Sequence, residues 1–265
     1  METHPMAGVY AAAVTPLKDD YSPDYEAIPI YLDFLARRGC HGALVLGTTG
    51  EGPSFSAIER QKIWKAAAEV REEHPEFRLF AGTGTPSLDE TIGFTRTAFD
   101  LGFNGVVVLP PYYFRKVSDE GLYAWFQQVI EHGAPKGGLV LGYHFPQVSG
   151  VGLSVALLQR LRDAFPDEFG GIKDSSGDLL HAEKLVTTFG KDFLTLVGND
   201  RIFSRALRAG AQGCITALAN LRSNDLRLIW DEHLAGGEDS DAEARVTVAR
   251  EVLERYPQAA PVIKS

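Results

Sequence analysis

The sequence predicts an α/β protein, a (β/α)8 TIM barrel with a short C-terminal helical extension. Three observations predict it. Eight short apolar runs recur along the chain, an amphipathic segment follows each, and the whole spans 265 residues, close to the roughly 250 that such a barrel occupies.

The runs are GVYAAAVTP from Gly8, GALVLGTTG from Gly42, RLFAGTG from Arg78, GVVVLPP from Gly105, GGLVLGYHF from Gly137, FGGIKDSS from Phe169, FLTLVGND from Phe193 and GCITALAN from Gly213. Each is apolar almost without a break. That is the pattern of parallel strands covered by helices on the outside of a sheet and packed on the inside. The segments between them, 24–38, 56–73, 88–101, 118–131, 154–164, 179–189, 201–209 and 224–234, carry helical periodicity. Residues able to cap free backbone N–H groups mark several starts: Ser56 with Glu59 three positions on, Ser118, Ser154 and Asn224. The most polar stretch, 236–244, reads as a surface turn before a last helix near 245–255. One domain over 1–265 suffices, with about 224–265 as the start of the extension. An open doubly wound sheet is the competing architecture. The first βα turn has no G-x-G-x-x-G and no segment reads G-x-x-x-x-G-K-[ST], so dinucleotide and ATP sites are not expected.

Composition narrows the function classes. A formal net charge of -9 leaves no basic stripe to displace counterions from a polyanion, so nucleic acid is not an expected partner. Cys40 and Cys214 both lie in apolar stretches far apart, which suits free thiols in a reducing compartment. No basic region precedes the N-terminal apolar run, and no segment reaches the roughly 20 apolar residues of a membrane span. A cytoplasmic protein with a small-molecule role and no membrane partner is expected. The seven histidines form no H-x-H or H-x-x-x-H pair, so neither a metal nor any other cofactor is expected.

In a (β/α)8 barrel the reactive groups gather where the strands end. Those ends here hold Gly47-Thr48-Thr49-Gly50-Glu51, Pro110-Pro111-Tyr112-Tyr113, Tyr143-His144-Phe145-Pro146, Lys173-Asp174 and Gly198-Asn199-Asp200. Lys173 follows Gly171-Ile172 inside a strand, where a cation is costly unless paired or neutralised. Desolvation favours the neutral form of an ammonium, and a free amine attacks carbonyls to form imines. A structural lysine paired with Asp174 is the other reading. Tyr143 ends the preceding strand and offers a phenol that both donates and accepts protons, or else a packed aromatic with a bonded tip. The glycine-flanked Thr48 and Thr49 offer two hydroxyls and backbone N–H groups suited to a carboxylate. Tyr112 and Tyr113 read equally as a rigid turn packed at an oligomer interface.

With these motifs in hand, the sequence resembles the dihydrodipicolinate synthase and N-acetylneuraminate lyase superfamily of pyruvate-dependent class I aldolases. GTTGE from Gly47, PPYY from Pro110, Y-x-x-P from Tyr143 and GIKDSSGD from Gly171 occur in the family's order from about Gly8 to Lys264. PPYYF and KDSSGD look nearest to the 2-keto-3-deoxygluconate aldolase-like branch. The resemblance implies that Lys173 forms the Schiff base, that Tyr143 shuttles protons with Thr48 and Tyr113 as its hydroxyl relay, and that Thr49 binds the pyruvate carboxylate. Gly47, Gly198 and Ile215 would line the substrate. It also implies a homodimer or homotetramer in which a tyrosine of the PYY segment crosses the interface. Three departures are visible. Val148 stands where dihydrodipicolinate synthases place an arginine for the incoming aldehyde's carboxylate. His144 replaces the usual asparagine, and the chain ends at Ser265 where the family continues into further helices, as a cut chain or a short branch would. The expected function is therefore aldol cleavage or synthesis of a 2-keto-3-deoxy sugar acid from pyruvate and an aldehyde. Condensation of pyruvate with aspartate semialdehyde is the alternative, and a non-catalytic keto-acid-binding barrel a third.

Overall fold

The computed structural model of the protein describes residues 4–256 and 258–265. Eight parallel strands close in sequence order: β1 Gly8–Ala12, β2 Gly42–Val45, β3 Arg78–Gly82, β4 Gly105–Val108, β5 Leu139–His144, β6 Phe169–Asp174, β7 Leu194–Val197 and β8 Gly213–Thr216. The first four are followed in turn by α1 Ala27–Arg37, α2 Ala57–Ala68, α3 Leu88–Asp100 and α4 Asp119–Gly133. A short turn, α5 Pro146–Ser149, and then α6 Val155–Ala164 follow β5. The last three strands lead into α7 Leu179–Phe189, α8 Phe203–Ala209 and α9 Ala219–Ala235. Beyond the barrel lie α10 Ser240–Leu253 and α11 Ala259–Lys264.

The predicted strands and helices form for the reasons the sequence carries. At α2 the Ser56 hydroxyl accepts the Glu59 N–H while the Glu59 carboxylate accepts the Ser56 N–H, a complete capping box. Ser118 and Ser154 cap α4 and α6 with the hydroxyl alone, accepting the Gly121 and Leu157 N–H groups. Two boundaries differ. Asn224 is no cap, because the helix has already begun at Ala219 and runs through a kink at Arg222 (φ -126°, ψ 33°). Of the stretch read as a surface turn, 236–239 is one, but 240–244 already opens α10, whose Ala242 N–H is capped by Asp239 at 2.8 Å. A first turn rich in Asp and Glu is favourable at a helix N-terminus, and here it resembles a loop in composition.

Two apolar layers hold the barrel. The interior is filled by Tyr10, Leu44, Phe80, Val107, Leu141, Leu196 and Ile215, and the layer between strands and helices by residues such as Trp64, Phe126, Phe169 and Ile172. One irregularity sets the phase of β6. Val140 pairs with Phe169, but the next residue, Leu141, pairs with Gly171, leaving Gly170 as a β-bulge. Phe169 and Ile172 therefore both face the helices despite standing an odd number of positions apart. Among the described residues no helix is long and apolar enough to cross a membrane.

Candidate active site

Tyr143 and Lys173 are register partners on β5 and β6. Neighbouring partners in a sheet project to the same face, so both enter the barrel mouth, where they are 4% and 3% exposed. The Lys173 Nζ stands 4.1 Å from the centroid of the Tyr143 ring. The Tyr143 hydroxyl lies 3.2 Å from Thr48 Oγ1 on the loop after β2. Alternation along the strand sends Asp174 to the opposite face, where it accepts the Ser176 N–H at 2.9 Å. Lys173 thus does not make the ion pair with Asp174 that its structural reading required.

The Thr48–Thr49 loop is held tightly. Leu46 (φ 59°) and Glu51 (φ 55°) both occupy the left-handed region, a conformation costing about 1–3 kcal/mol for such residues and found mostly at functional sites. Glu51 is also bonded by Lys264 of α11. Among the described residues, the Thr48 and Thr49 N–H groups donate to no backbone carbonyl, leaving them free for an anion. Gly47 is packed under the loop, where an added Cβ would meet Leu44 at 2.8 Å.

These groups surround a cavity of about 400 Å³. Thr48, Thr49, Tyr143, Lys173, Gly198 and Ile215 all line it. Gly198 contributes bare backbone, because a Cβ there would sit 1.9 Å from Ser175 Oγ and 2.9 Å from Ser175 Cα. Tyr113 is not brought to this cavity by its own chain. It is 76% exposed beside Phe114, with ring centroids 5.0 Å apart, while the hydroxyl partner of Tyr143 is Thr48.

Residues 5–263 match the sequence profile of the dihydrodipicolinate synthetase family. The chain belongs to that family. A DapA-like lyase of Chloroflexus aurantiacus is 37% identical over 93% of this chain and 81% of its own length. A 4-hydroxy-tetrahydrodipicolinate synthase of Rhodospirillum centenum is 33% identical, over 81% of this chain and 70% of its own. Among solved structures, YagE, a prophage protein of the dihydrodipicolinic acid synthase family from E. coli in complex with pyruvate, superposes with a TM-score of 0.91 at 26% identity, covering 98% of this chain and 86% of that one. A monomeric dihydrodipicolinate synthase variant superposes at 0.87 with 26% identity, over 97% and 85%. The protein is accordingly a lyase of the dihydrodipicolinate synthetase family on a TIM barrel.

Sequence reasoning missed two features of this family member. His144 faces outward, stacked on His181 with centroids 4.7 Å apart, and these two with Asp174 bring three potential ligand atoms within 4.8 Å of one another. Positions 144, 174 and 181 have no motif spacing, so only the fold unites them. His144 Nδ1 accepts the Leu153 N–H at 3.0 Å, so its neutral ring carries the proton on Nε2 and has no free lone pair for a metal there. Burial holds the His144 imidazole below its ordinary pKa. The second missed feature is Arg250 of α10, which lines the cavity although it lies far beyond the last strand.

Proposed function

We propose that the protein is a pyruvate-dependent class I aldolase that cleaves a 2-keto-3-deoxy sugar acid through an imine on Lys173. The observation that carries this reading is a buried amine 4.1 Å from the ring centroid of a tyrosine whose hydroxyl reaches Thr48, all at one mouth of the barrel. The substrate's carboxylate is held by the hydroxyls and N–H groups of Thr48 and Thr49, over the backbone of Gly47. Gly198 and Ile215 shape the floor. Lys173 Nζ attacks the keto carbon, a C–N bond forms, and the carbonyl oxygen takes a proton from the Tyr143 hydroxyl before leaving as water.

In the imine, Tyr143 removes the proton of the C4 hydroxyl, the C3–C4 bond breaks, and its electrons move toward the imine nitrogen. The aldehyde departs and an enamine remains. Protonation at C3 and hydrolysis release pyruvate and restore Lys173. The protonated imine is the electron sink, so this chemistry calls for no further cofactor. Tyr113, exposed with Phe114, supplies the hydroxyl relay to the site of a second copy in a homodimer or homotetramer. The absence of a basic stripe and the low cysteine content support a cytoplasmic, small-molecule role. Condensation with aspartate semialdehyde uses the same imine and is the second reading, favoured by the synthase relatives.

Borohydride added with pyruvate is expected to fix the substrate on Lys173 as a secondary amine, visible by peptide mass mapping, and Lys173→Ala to abolish the label. Label elsewhere, or none, overturns the mechanism.

A further inference from the structure

The cavity has an outer wall that does not come from the barrel. α10 contributes Arg250, its C-cap residue Glu254 stands beside it, and the segment that follows contributes Gln258. Among the described residues, the charged side chains lining the cavity are Lys173, Arg250 and Glu254. Two basic groups closer to the strand ends point elsewhere: Arg115 packs against Gly150, and His144 bonds the Leu153 N–H.

Arg250 is not a free cation. Its Nε lies 2.6 Å from Asp200 Oδ2 and 3.7 Å from Glu254 Oε1. Glu254 is held from its other side by Arg201 at 2.6 Å. Two guanidiniums and two carboxylates cancel, so the wall is polar with no net charge. Lys173 is the cavity's uncompensated cation, and imine formation consumes its amine while the first carboxylate settles on Thr48 and Thr49. A second carboxylate, carried on the aldehyde portion, would meet an arginine already shared by two acids and a glutamate in the wall. A hydroxyl group finds complementary partners, because it both donates and accepts: Arg250 offers N–H groups, Glu254 offers oxygens, and Ser175, Asn199 and Gln258 offer neutral polar groups.

From this we infer that Arg250 of α10 and Glu254 at its C-terminal cap are the specificity-determining residues of the site, selecting neutral hydroxylated aldehydes and rejecting anionic ones. The inference rests on the aldolase reading and names the class of its second substrate. Specificity here comes as much from the repelling carboxylate as from the attracting donor.

The test uses the full chain and a pair of aldehydes matched in size, glycolaldehyde and glyoxylate, each condensed with saturating pyruvate. The readout is the ratio of their kcat/KM values in a variant relative to wild type, in which intrinsic aldehyde reactivity cancels. Glu254→Gln is expected to shift the ratio toward glyoxylate by about tenfold, the scale of one charged hydrogen-bonding contact. Arg250→Met is expected to lower kcat/KM for glycolaldehyde by about tenfold or more on the same grounds, with Arg250→Lys recovering only part, because a lysine lacks the planar fork. Borohydride trapping of the pyruvate imine in each variant reports fold and Lys173 reactivity. An unchanged ratio in Glu254→Gln with trapping intact overturns the inference alone, and this variant decides even where Arg250→Met does not fold. Absence of trapping in wild type overturns the aldolase reading beneath it.

Discussion

Tyr143→Phe separates chemistry from structure at this site. The substitution removes one oxygen and leaves the ring, which stays stacked on Phe145 at 5.9 Å between centroids and beneath the Lys173 amine at 4.1 Å. The one hydrogen bond lost is the 3.2 Å contact to Thr48, long for an O–H···O pair. Thr48 is exposed, so its hydroxyl turns to water and no buried group is orphaned. The stability cost is therefore about 0.5 kcal/mol, at the low end for a single hydrogen bond, or about 1–2 °C in Tm for a chain of this size. Turnover is expected to fall by about 10²–10⁴, the contribution of a positioned general acid and base, while borohydride still traps a slowly formed pyruvate imine. Pyruvate release followed with lactate dehydrogenase, a thermal melt and intact mass measure the three quantities. Wild-type turnover in Tyr143→Phe would refute the proton role, and a Tm loss of many degrees would show that the hydroxyl is structural.

Further outcomes follow from other contacts. Gly198→Ala forces a Cβ to within 2.9 Å of Ser175 Cα, and is expected to cost about 1–3 kcal/mol by overpacking and to weaken imine trapping, read by urea unfolding and mass. Ser56→Ala opens the capping box of α2 and is expected to cost about 1 kcal/mol with kcat unchanged. His41 accepts the Val9 N–H on Nδ1 at 2.9 Å, and burial, reinforced by Arg227 and Arg78, lowers its pKa from 6.5 to about 4. Its folded value lies below its unfolded one, so the unfolded chain binds the proton first. The stability is complete above pH 6.5 and declines as pH falls toward about 4, by about 2 kcal/mol once partial exposure is allowed for. Urea unfolding at pH 7 and pH 5 is expected to show about half of this loss, and His41→Asn, which keeps an acceptor for Val9, to reduce it.

The strands were legible because a barrel strand is apolar on both faces and bounded by glycine or turn residues, as in GVVV from Gly105. Lys173 and Tyr143 were legible because a cation and a phenol interrupt such runs at their ends. The start of α10 was not, since Asp239, Ser240 and Asp241 are the residues both of a surface turn and of a capped first helical turn, and only packing of Ala242 and Val246 decides. Asn224 misled for the converse reason: a good capping residue tells nothing when the helix begins earlier around a kink. The wall residues Arg250 and Glu254 carry no local sign of their position, because it depends on where the chain returns after β8. Tyr113 shows a further limit. Its motif is readable, but its surroundings belong to whatever covers an exposed aromatic pair.

The bulge at Gly170 gives this lyase an unusual point of fragility. Side chains on a strand alternate strictly, so one surplus residue reverses everything downstream of it. Were Gly170 to pair opposite Leu141 in a regular ladder, Lys173 would turn into the helix layer and Asp174 into the barrel mouth, with no change of sequence at all. Deleting Gly170, by contrast, would remove only the surplus residue and leave Lys173 facing the cavity, so the nucleophile's direction hangs on which partner one glycine takes.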